Sequence, residues 1–395
     1  MTKRSIKDLN LSGKRVLIRV DFNVPINNGS VTDDTRIRAS LPTIEYARDQ
    51  GATVLLASHL GRPKGKVCED LTLGPVAHHL SSLIEAPVLF ASNCIGGEAE
   101  AAIKKANPGG IVLLENLRFH EEEEKNETAF SKELASLADI YINDAFGTSH
   151  RAHASTEGII SHIQNSGAGL LVARELEYLG NLLNKPNRPL VAIIGGAKVS
   201  GKLEVIKNLL KSVDTLLIGG AMAYTFFHRR GFPVGQSLVE QNLLKETELI
   251  EELANKYNVR LVLPIDHIVT TTIDAKAPHE LLSIDDPSIV ERIGVDIGPT
   301  TSSIYAGIVQ EAETVVWNGP MGVFEIDVFS KGTLALAKAM AVTTATTIVG
   351  GGDSIAAISK AGVTDKITHI STGGGASLEF LGGRSLPGIA ALPDK

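Results

Sequence analysis

The stretch LVAIIGGAKVSGKL, Leu190–Leu203, decides how the rest of the chain is read. Its first five residues are apolar without alternation and three of them are β-branched, which marks a strand buried on both faces, as in a covered parallel sheet. A glycine pair then stops the strand, and a helix is expected after it. Similar β-rich runs stand upstream at Arg15–Val20, Thr53–Ala57, Ile111–Leu114 and Asp139–Asn143. Downstream they recur at Thr215–Gly219, Arg260–Leu263, Thr314–Trp317 and Thr346–Val349, with helical segments between them. This alternation predicts an α/β chain of two doubly wound, Rossmann-like parallel-sheet domains. Between the halves, LLVARELEYLGNLL at Leu170–Leu183 carries apolar residues at helical spacing, and Asn184–Pro189 closes it with two prolines. A linking helix over 170–185 therefore separates a first domain, 1–169, from a second.

With 395 residues, 43% hydrophobic and 21% charged, the chain has the composition of a globular protein and not of a disordered, collagen-like or disulfide-scaffold one. Its net charge of −7 argues against a chain-wide nucleic-acid or membrane-surface role, so an anionic ligand needs a local basic patch. Cys68 and Cys94 are too few for a thiolate zinc site or a disulfide framework and read as reduced structural thiols. The N-terminal Met1–Lys7 stretch is basic with no apolar run behind it, and no segment approaches about 18 uninterrupted apolar residues. The default expectation is a cytoplasmic protein without nucleic-acid or membrane partners.

In open parallel sheets, ligands bind beyond the carboxyl ends of the strands. In the first half those positions are basic and polar. Arg19, Asp21 and Asn23 follow the first strand, and Ser58, His59 and Arg62 follow the second. Arg118 comes just after Ile111–Leu114, and His150, Arg151 and His153 come after Asp139–Asn143. Arg36 and Arg38 lie where the next helix begins. Each arginine alone reads as a surface or ion-pairing residue, and three histidines without a carboxylate at metal spacing make a weak metal site. Cations at four strand ends are harder to explain as packing, and the arginine fork suits bidentate phosphate or carboxylate recognition. A small polyanion is the expected ligand. The Glu121–Glu124 run reads as a solvated loop or helix start.

The second half places glycines at the same positions. From Gly196 the sequence fits G-x-x-x-x-G-K, but Leu203 stands where a P-loop needs a Ser or Thr for magnesium. What survives is a glycine turn with Lys198 and Lys202, expected four apart on one helix face. Further turns follow other strands at Gly219-Gly220-Ala221, Gly350-Gly351-Gly352-Asp353 and Gly373-Gly374-Gly375, where backbone N–H groups can approach phosphate. Asp353 is the natural Mg²⁺ ligand, its alternative being an N-cap for the helix that follows. The segment Asn318–Glu325 offers an apolar wall for a base and a carboxylate for ribose hydroxyls.

RVDFNVP at Arg19–Pro25, SHLGRP at Ser58–Pro63, AFGTSHRAHAS at Ala145–Ser155, GGAKVSGK at Gly195–Lys202, VWNGPMGVFE at Val316–Glu325, GGGDS at Gly350–Ser354 and STGGGASLE at Ser371–Glu379 together resemble the phosphoglycerate kinase family across essentially the whole chain. The resemblance implies 3-phosphoglycerate binding by Asp21, Asn23, Arg36, His59, Arg62, Arg118 and Arg151 in the first domain. It implies ATP or ADP binding by Gly195, Lys198, Lys202, Gly219, Gly294, Asn318, Pro320, Glu325, Gly350, Gly351, Gly352, Asp353 and Ser354 over 170–375, with Asp353 on magnesium. It also implies that 376–395 returns to the first domain and that the protein is a monomer. Arg229-Arg230 and Gly382-Gly383 depart from the family pattern without touching these positions.

The implied reaction is reversible phosphoryl transfer between 1,3-bisphosphoglycerate and MgADP. Arg36, Lys198 and the helix start at Gly373, Gly374 and Gly375 are expected to steady the transferring group, with Lys202 following the nucleotide phosphate. Two rivals are a P-loop NTPase, which Leu203 opposes, and a non-catalytic hinged two-domain anion-binding protein, which leaves the glycine turns unexplained. The cations of the substrate lie in one domain and those of the nucleotide in the other, so in-line transfer at about 3–3.5 Å demands hinge closure, with Gly167-Ala168-Gly169 and the segment before Ala376 as hinges. Small-angle scattering should show a smaller radius of gyration with both ligands than with either alone. A particle equally compact in every state would exclude closure.

Overall fold

The structure is a computed structural model that describes residues 3–395; Met1 and Thr2, the first residues of the basic N-terminal stretch, lie outside the described residues. The chain divides into two compact units. One holds the residues up to Glu177 together with Ser385–Lys395, and the other holds Tyr178–Arg384.

In the first unit, strands β1 (Arg15–Arg19), β2 (Thr53–Ala57), β3 (Val88–Ala91), β4 (Ile111–Leu114), β5 (Ile140–Asn143) and β6 (Ser166–Ala168) form one six-stranded parallel sheet in the order β3-β4-β2-β1-β5-β6. Val16 pairs with Val54 on one side and Ile140 on the other. Helix residues Ile37, Ile44, Val76 and Leu80 bury one face of this sheet against Val16, Ile18, Val54 and Leu56. Because both faces are covered, alternation disappears from the central strands, which is why they read as continuous apolar runs. The edge strand β3 is partly exposed and β6 is Ser-Gly-Ala, so neither carries that signal.

The second unit repeats the scheme with β7 (Leu190–Ile194), β8 (Thr215–Ile218), β9 (Arg260–Val262), β13 (Thr314–Asn318), β14 (Thr346–Gly350) and β15 (His369–Ser371), ordered β9-β8-β7-β13-β14-β15. That is the doubly wound order whose direction reverses between the two central strands, here β7 and β13. Trp317, wholly buried in β13, donates from Nε1 to the Gly319 carbonyl at 2.7 Å and so satisfies the one polar atom it takes into the core. Between β9 and β13 the chain inserts an antiparallel sheet, β10 (Asp266–Thr270), β11 (His279–Ser283) and β12 (Ile293–Ile297), which the two-domain reading did not anticipate.

The linking helix runs Leu170–Asn184, and the division between the units falls inside it, after Glu177 and not at 169. The segment that joins the first unit begins at Ser385 and not at 376. Helix Gly375–Leu381 stays with the second unit, where Asn208 Nδ2 donates to the Leu381 carbonyl at 2.6 Å. In the first unit, Gly388 N–H donates to the Ser149 carbonyl and Asn143 Nδ2 donates to the Gly388 carbonyl, both at 2.9 Å.

Glycine is required where the turns of the second sheet crowd one another. Gly220 has φ +70°, and a Cβ there would sit 2.5 Å from the Gly196 carbonyl oxygen and 2.6 Å from its nitrogen. Gly362 has φ +68° with open space around it. Gly362→Ala should therefore cost only the left-handed strain, about 1–2 kcal/mol. Gly220→Ala adds overpacking and should cost about 2–5 kcal/mol in chemical denaturation.

Candidate functional site

At the carboxyl end of the first sheet, loops after β1, β2, β4 and β5 bring most of the sequence-predicted anion residues together. Arg36 Nη1 lies 3.2 Å from Asp21 and donates to the Asn23 carbonyl at 3.1 Å. Asn23 Oδ1 accepts the Gly61 N–H at 2.9 Å, and the buried Arg118 donates from Nη1 to the Gly61 carbonyl at 2.8 Å. Gly61 thus ties Asn23 to Arg118. Arg151 donates from Nε to His150 at 3.2 Å. Arg62, beside Gly61, is exposed and makes no hydrogen bond or ion pair with a described residue, which leaves its fork available. Arg38 points elsewhere and pairs with Asp34 at 2.9 Å.

Beneath this cradle is a layer that the sequence reading passed over. Arg19 is 1% exposed and Glu123 is 0% exposed. Arg19 Nε donates to Ser155 Oγ at 2.9 Å, and Ser155 gives Glu123 its hydroxyl at 2.6 Å and its N–H at 2.9 Å. The expectation of a solvated loop or helix start over Glu121–Glu124 is therefore corrected at Glu123, which is buried. The run is a single helical turn with one inward face, and Glu123 occupies it because a buried arginine needs a counter-charge. Burial pushes the Glu123 carboxyl up, against the pull of Arg19. Burial and the neighbouring Arg19 and Arg118 hold His59 far below the usual histidine range, and His153 is pushed down to about 3 chiefly by burial. Both are neutral near pH 7, so the cradle's charge comes from its arginines.

In the second unit a cavity of about 240 Å³ opens at the end of the sheet. Gly294, Pro320, Met321, Glu325 and Asp353 line it, with Tyr224, Phe227, His267 and Asp296 completing a wall that the sequence reading missed. The aromatic pair in the helix after Gly219-Gly220 was the available signal. Where β7 meets β13 the turns interlock: Gly195 N–H donates to the Asn318 carbonyl and Gly196 N–H to the Pro320 carbonyl, both at 2.9 Å. A Cβ on Gly195 would collide with the Pro320 carbonyl, and one on Gly219 with the Met321 sulfur. Ser354 Oγ accepts the Gly319 N–H at 2.6 Å. Asn318 Nδ2 donates to Gly350 at 2.8 Å, while its buried Oδ1 has no partner among the described residues. Tyr224 Oη and His267 Nδ1 lie 2.7 Å apart, and burial brings His267 down to about 4 and Asp296 up to about 7. A Cβ at Gly294 would collide with the Tyr224 hydroxyl.

Lys198 and Lys202 do not share a helix face. The helix begins at Leu203, because the bonds of Gly195 and Gly196 to the β13 turn hold residues 195–202 in a non-helical loop. Lys198 is exposed and makes no ion pair with a described residue. Lys202 is partly buried, which lowers it to about 8 against the opposing pull of Asp353. Asp353 is not a helix cap: the N-cap is Gly351 at φ +93°, and the Asp353 carboxylate is exposed without a bond to the helix. A hard carboxylate free at the cavity wall fits magnesium, which takes one or two carboxylates together with phosphate oxygens. Gly350–Gly352 adjoin Asp353 at the end of β14, and Gly373–Gly375 follow the neighbouring β15 without lining the cavity.

An arginine cradle on one parallel-sheet unit and a glycine-walled cavity on the other define a two-domain α/β small-molecule kinase. The family model for phosphoglycerate kinase matches residues 6–384. Phosphoglycerate kinase of Moorella thermoacetica is 55% identical over 396 residues, covering 100% of both chains, and that of Chlorobium luteolum is 56% identical over 399 residues, covering 99% of this chain and all of that one. The structure of phosphoglycerate kinase from Coxiella burnetii superposes with a TM-score of 0.91 at 43% identity over 98% of each chain. The chain belongs to the phosphoglycerate kinase family. The non-catalytic anion-binding alternative is thereby set aside.

Glu123 and Arg19 supply the test of the buried layer. Glu123→Gln leaves Arg19 without its counter-charge and should destabilise the protein by about 3–5 kcal/mol in denaturant titration. The exposed Glu121→Gln should change it by no more than about 0.5 kcal/mol.

Proposed function

We propose that the chain catalyses reversible phosphoryl transfer between 1,3-bisphosphoglycerate and MgADP with the residues assembled above, as a cytoplasmic monomer. The observation that carries this reading is Asp353: an exposed carboxylate, unused by its own helix, on the wall of a glycine-lined cavity and within the field of Lys202. Among the described residues no helix is long and apolar enough to cross a membrane.

Substrate phosphate and carboxylate oxygens bind to the forks of Arg62, Arg118 and Arg151 and to His59, while Asp21 and Asn23 hold Arg36 and accept the substrate hydroxyl. The nucleotide base lies against Met321 and Pro320 beside Gly294 and Gly219, with Glu325 on the ribose. Its phosphates meet Lys198, Lys202 and the backbone N–H groups of Gly195, Gly350, Gly351 and Gly352, with Ser354 and Asn318 shaping the turns. The terminal ADP oxygen attacks the acyl phosphorus, the P–O bond to the acyl oxygen breaks, and the electron pair leaves on the carboxylate of 3-phosphoglycerate. No covalent enzyme intermediate is required. Arg36, Lys198 and the turn Gly373–Gly375 act on the charge spread over the transferring group, which is where preorganised donors contribute most. Magnesium, when bound through Asp353 and the nucleotide, neutralises phosphate charge. Burial leaves Lys202 mostly protonated near pH 7, and an adjacent phosphate strengthens that preference.

A coupled assay of ATP formation from 1,3-bisphosphoglycerate and MgADP tests the whole assignment, and absence of turnover would reject it. Arg36→Ala should lower kcat more than about 100-fold; a raised KM with unchanged kcat would make Arg36 a ground-state anchor instead. Asp353→Asn should weaken MgADP binding in titration calorimetry and leave 3-phosphoglycerate affinity nearly intact. Equal loss of both would mean that the substitution acts through local unfolding.

A further inference from the structure

His59 has two ring nitrogens with different surroundings. Nδ1 faces Arg19 Nη2 at 3.2 Å and lies 3.9 Å from Asp21, beyond hydrogen-bond reach of the carboxylate. Nε2 has no hydrogen-bond partner among the described residues. A guanidinium carries donors only, so the nitrogen facing it must offer a lone pair. The ring proton is then on Nε2. Arg19 is held for this task at its other nitrogens: Nε donates to Ser155, which is anchored by Glu123, and Nη1 donates to the Val20 carbonyl. The ring itself is 4% exposed and cannot exchange this contact for water.

We propose that Arg19 is a positioning residue of the anion cradle, fixing His59 as a neutral imidazole that presents an Nε2–H donor to a substrate oxygen. The inference rests on the reading of this cradle as the 3-phosphoglycerate site. It explains why an arginine is buried directly below a group that meets an anion: a histidine free to titrate would change the cradle's charge across the physiological range. The charged and titratable groups facing His59 are Arg19, Arg36, Arg118, His153 and Asp21, and the three arginines all oppose its protonation.

The test is a long-range ¹H–¹⁵N correlation spectrum of the full chain with ¹⁵N-labelled histidine, recorded between about pH 6 and 8, with His59 assigned by its loss in His59→Gln. The expected result is an unprotonated Nδ1 and a protonated Nε2 throughout the window. In Arg19→Met nothing then requires a lone pair at Nδ1, while burial, Arg118 and Arg36 still oppose protonation, so His59 should show both neutral tautomers, and 3-phosphoglycerate affinity should fall about tenfold while MgADP affinity holds. A wild-type His59 protonated on Nδ1, or present as imidazolium at pH 7, overturns the proposal, as does an Arg19→Met spectrum with unchanged His59 signals. Where Arg19→Met fails to fold, the wild-type spectrum still decides, and Ser155→Ala, which keeps both buried charges, should show both His59 tautomers. Failure of the wild-type chain to bind 3-phosphoglycerate would instead reject the substrate reading and leave the tautomer assignment standing.

Discussion

A parallel sheet covered by helices on both faces has no room for polar side chains along its strands, so they gather where the strands end. That constraint organises both units. Val16, Leu17 and Ile18 are wholly buried in β1, and the chain turns polar at Arg19 and Asp21. In β7 the apolar run ends at Ile194 and the glycines begin at once. The backbone N–H and C=O groups of a strand are satisfied by its neighbours, whereas those of the turn beyond it must find other partners or a ligand. The candidate sites follow from this: they lie where strands of each sheet end and the turn donors are free to meet a ligand.

The two units meet the same need with opposite chemistry. The first supplies cations and must then keep them apart and in place, so Asp21 restrains Arg36, Gly61 bridges Asn23 to Arg118, and Glu123 compensates Arg19 through Ser155. Buried charge is costly without a partner, and each arginine that is removed from solvent here has one. The second unit instead supplies backbone. Its turns approach so closely that a single added carbon at Gly195, Gly219 or Gly294 would strike a neighbour, and this close approach opens a cavity walled by main chain and apolar side chains. Its charges stand at the margin: Lys198 and Asp353 are exposed, and Lys202 is partly buried.

Much of this was legible before any coordinates. Eight of the nine runs announced themselves because burial on both faces removes alternation, the ninth, Arg260–Leu263, being a partly exposed edge strand, and the polar clusters announced themselves because each began where such a run stopped. The strands that escaped notice lack one of these signals: Val88–Ala91 is half-exposed, Ser166–Ala168 has almost no side chain, and β10–β12 alternate irregularly in a small antiparallel insertion. The helix assigned to Lys198 and Lys202 was wrong for a related reason. Spacing of four is helical only if the backbone is, and here two N–H groups bond across to the β13 turn.

What the amino-acid sequence determined by itself was the two-unit α/β architecture, the strand ends that carry chemistry and the family to which their motifs correspond, because these follow from local runs of apolar residues and from residues adjacent in the chain. What only the tertiary structure decided was how charge is balanced. Arg19, Glu123 and Ser155 are separated by up to 136 positions, and nothing local in a run of four acids distinguishes the one that turns inward from the three that do not. Burial and pairing are relations between distant segments. Whether a carboxylate is a surface group, a helix cap or the counter-charge of a buried arginine is therefore settled by what the fold packs against it.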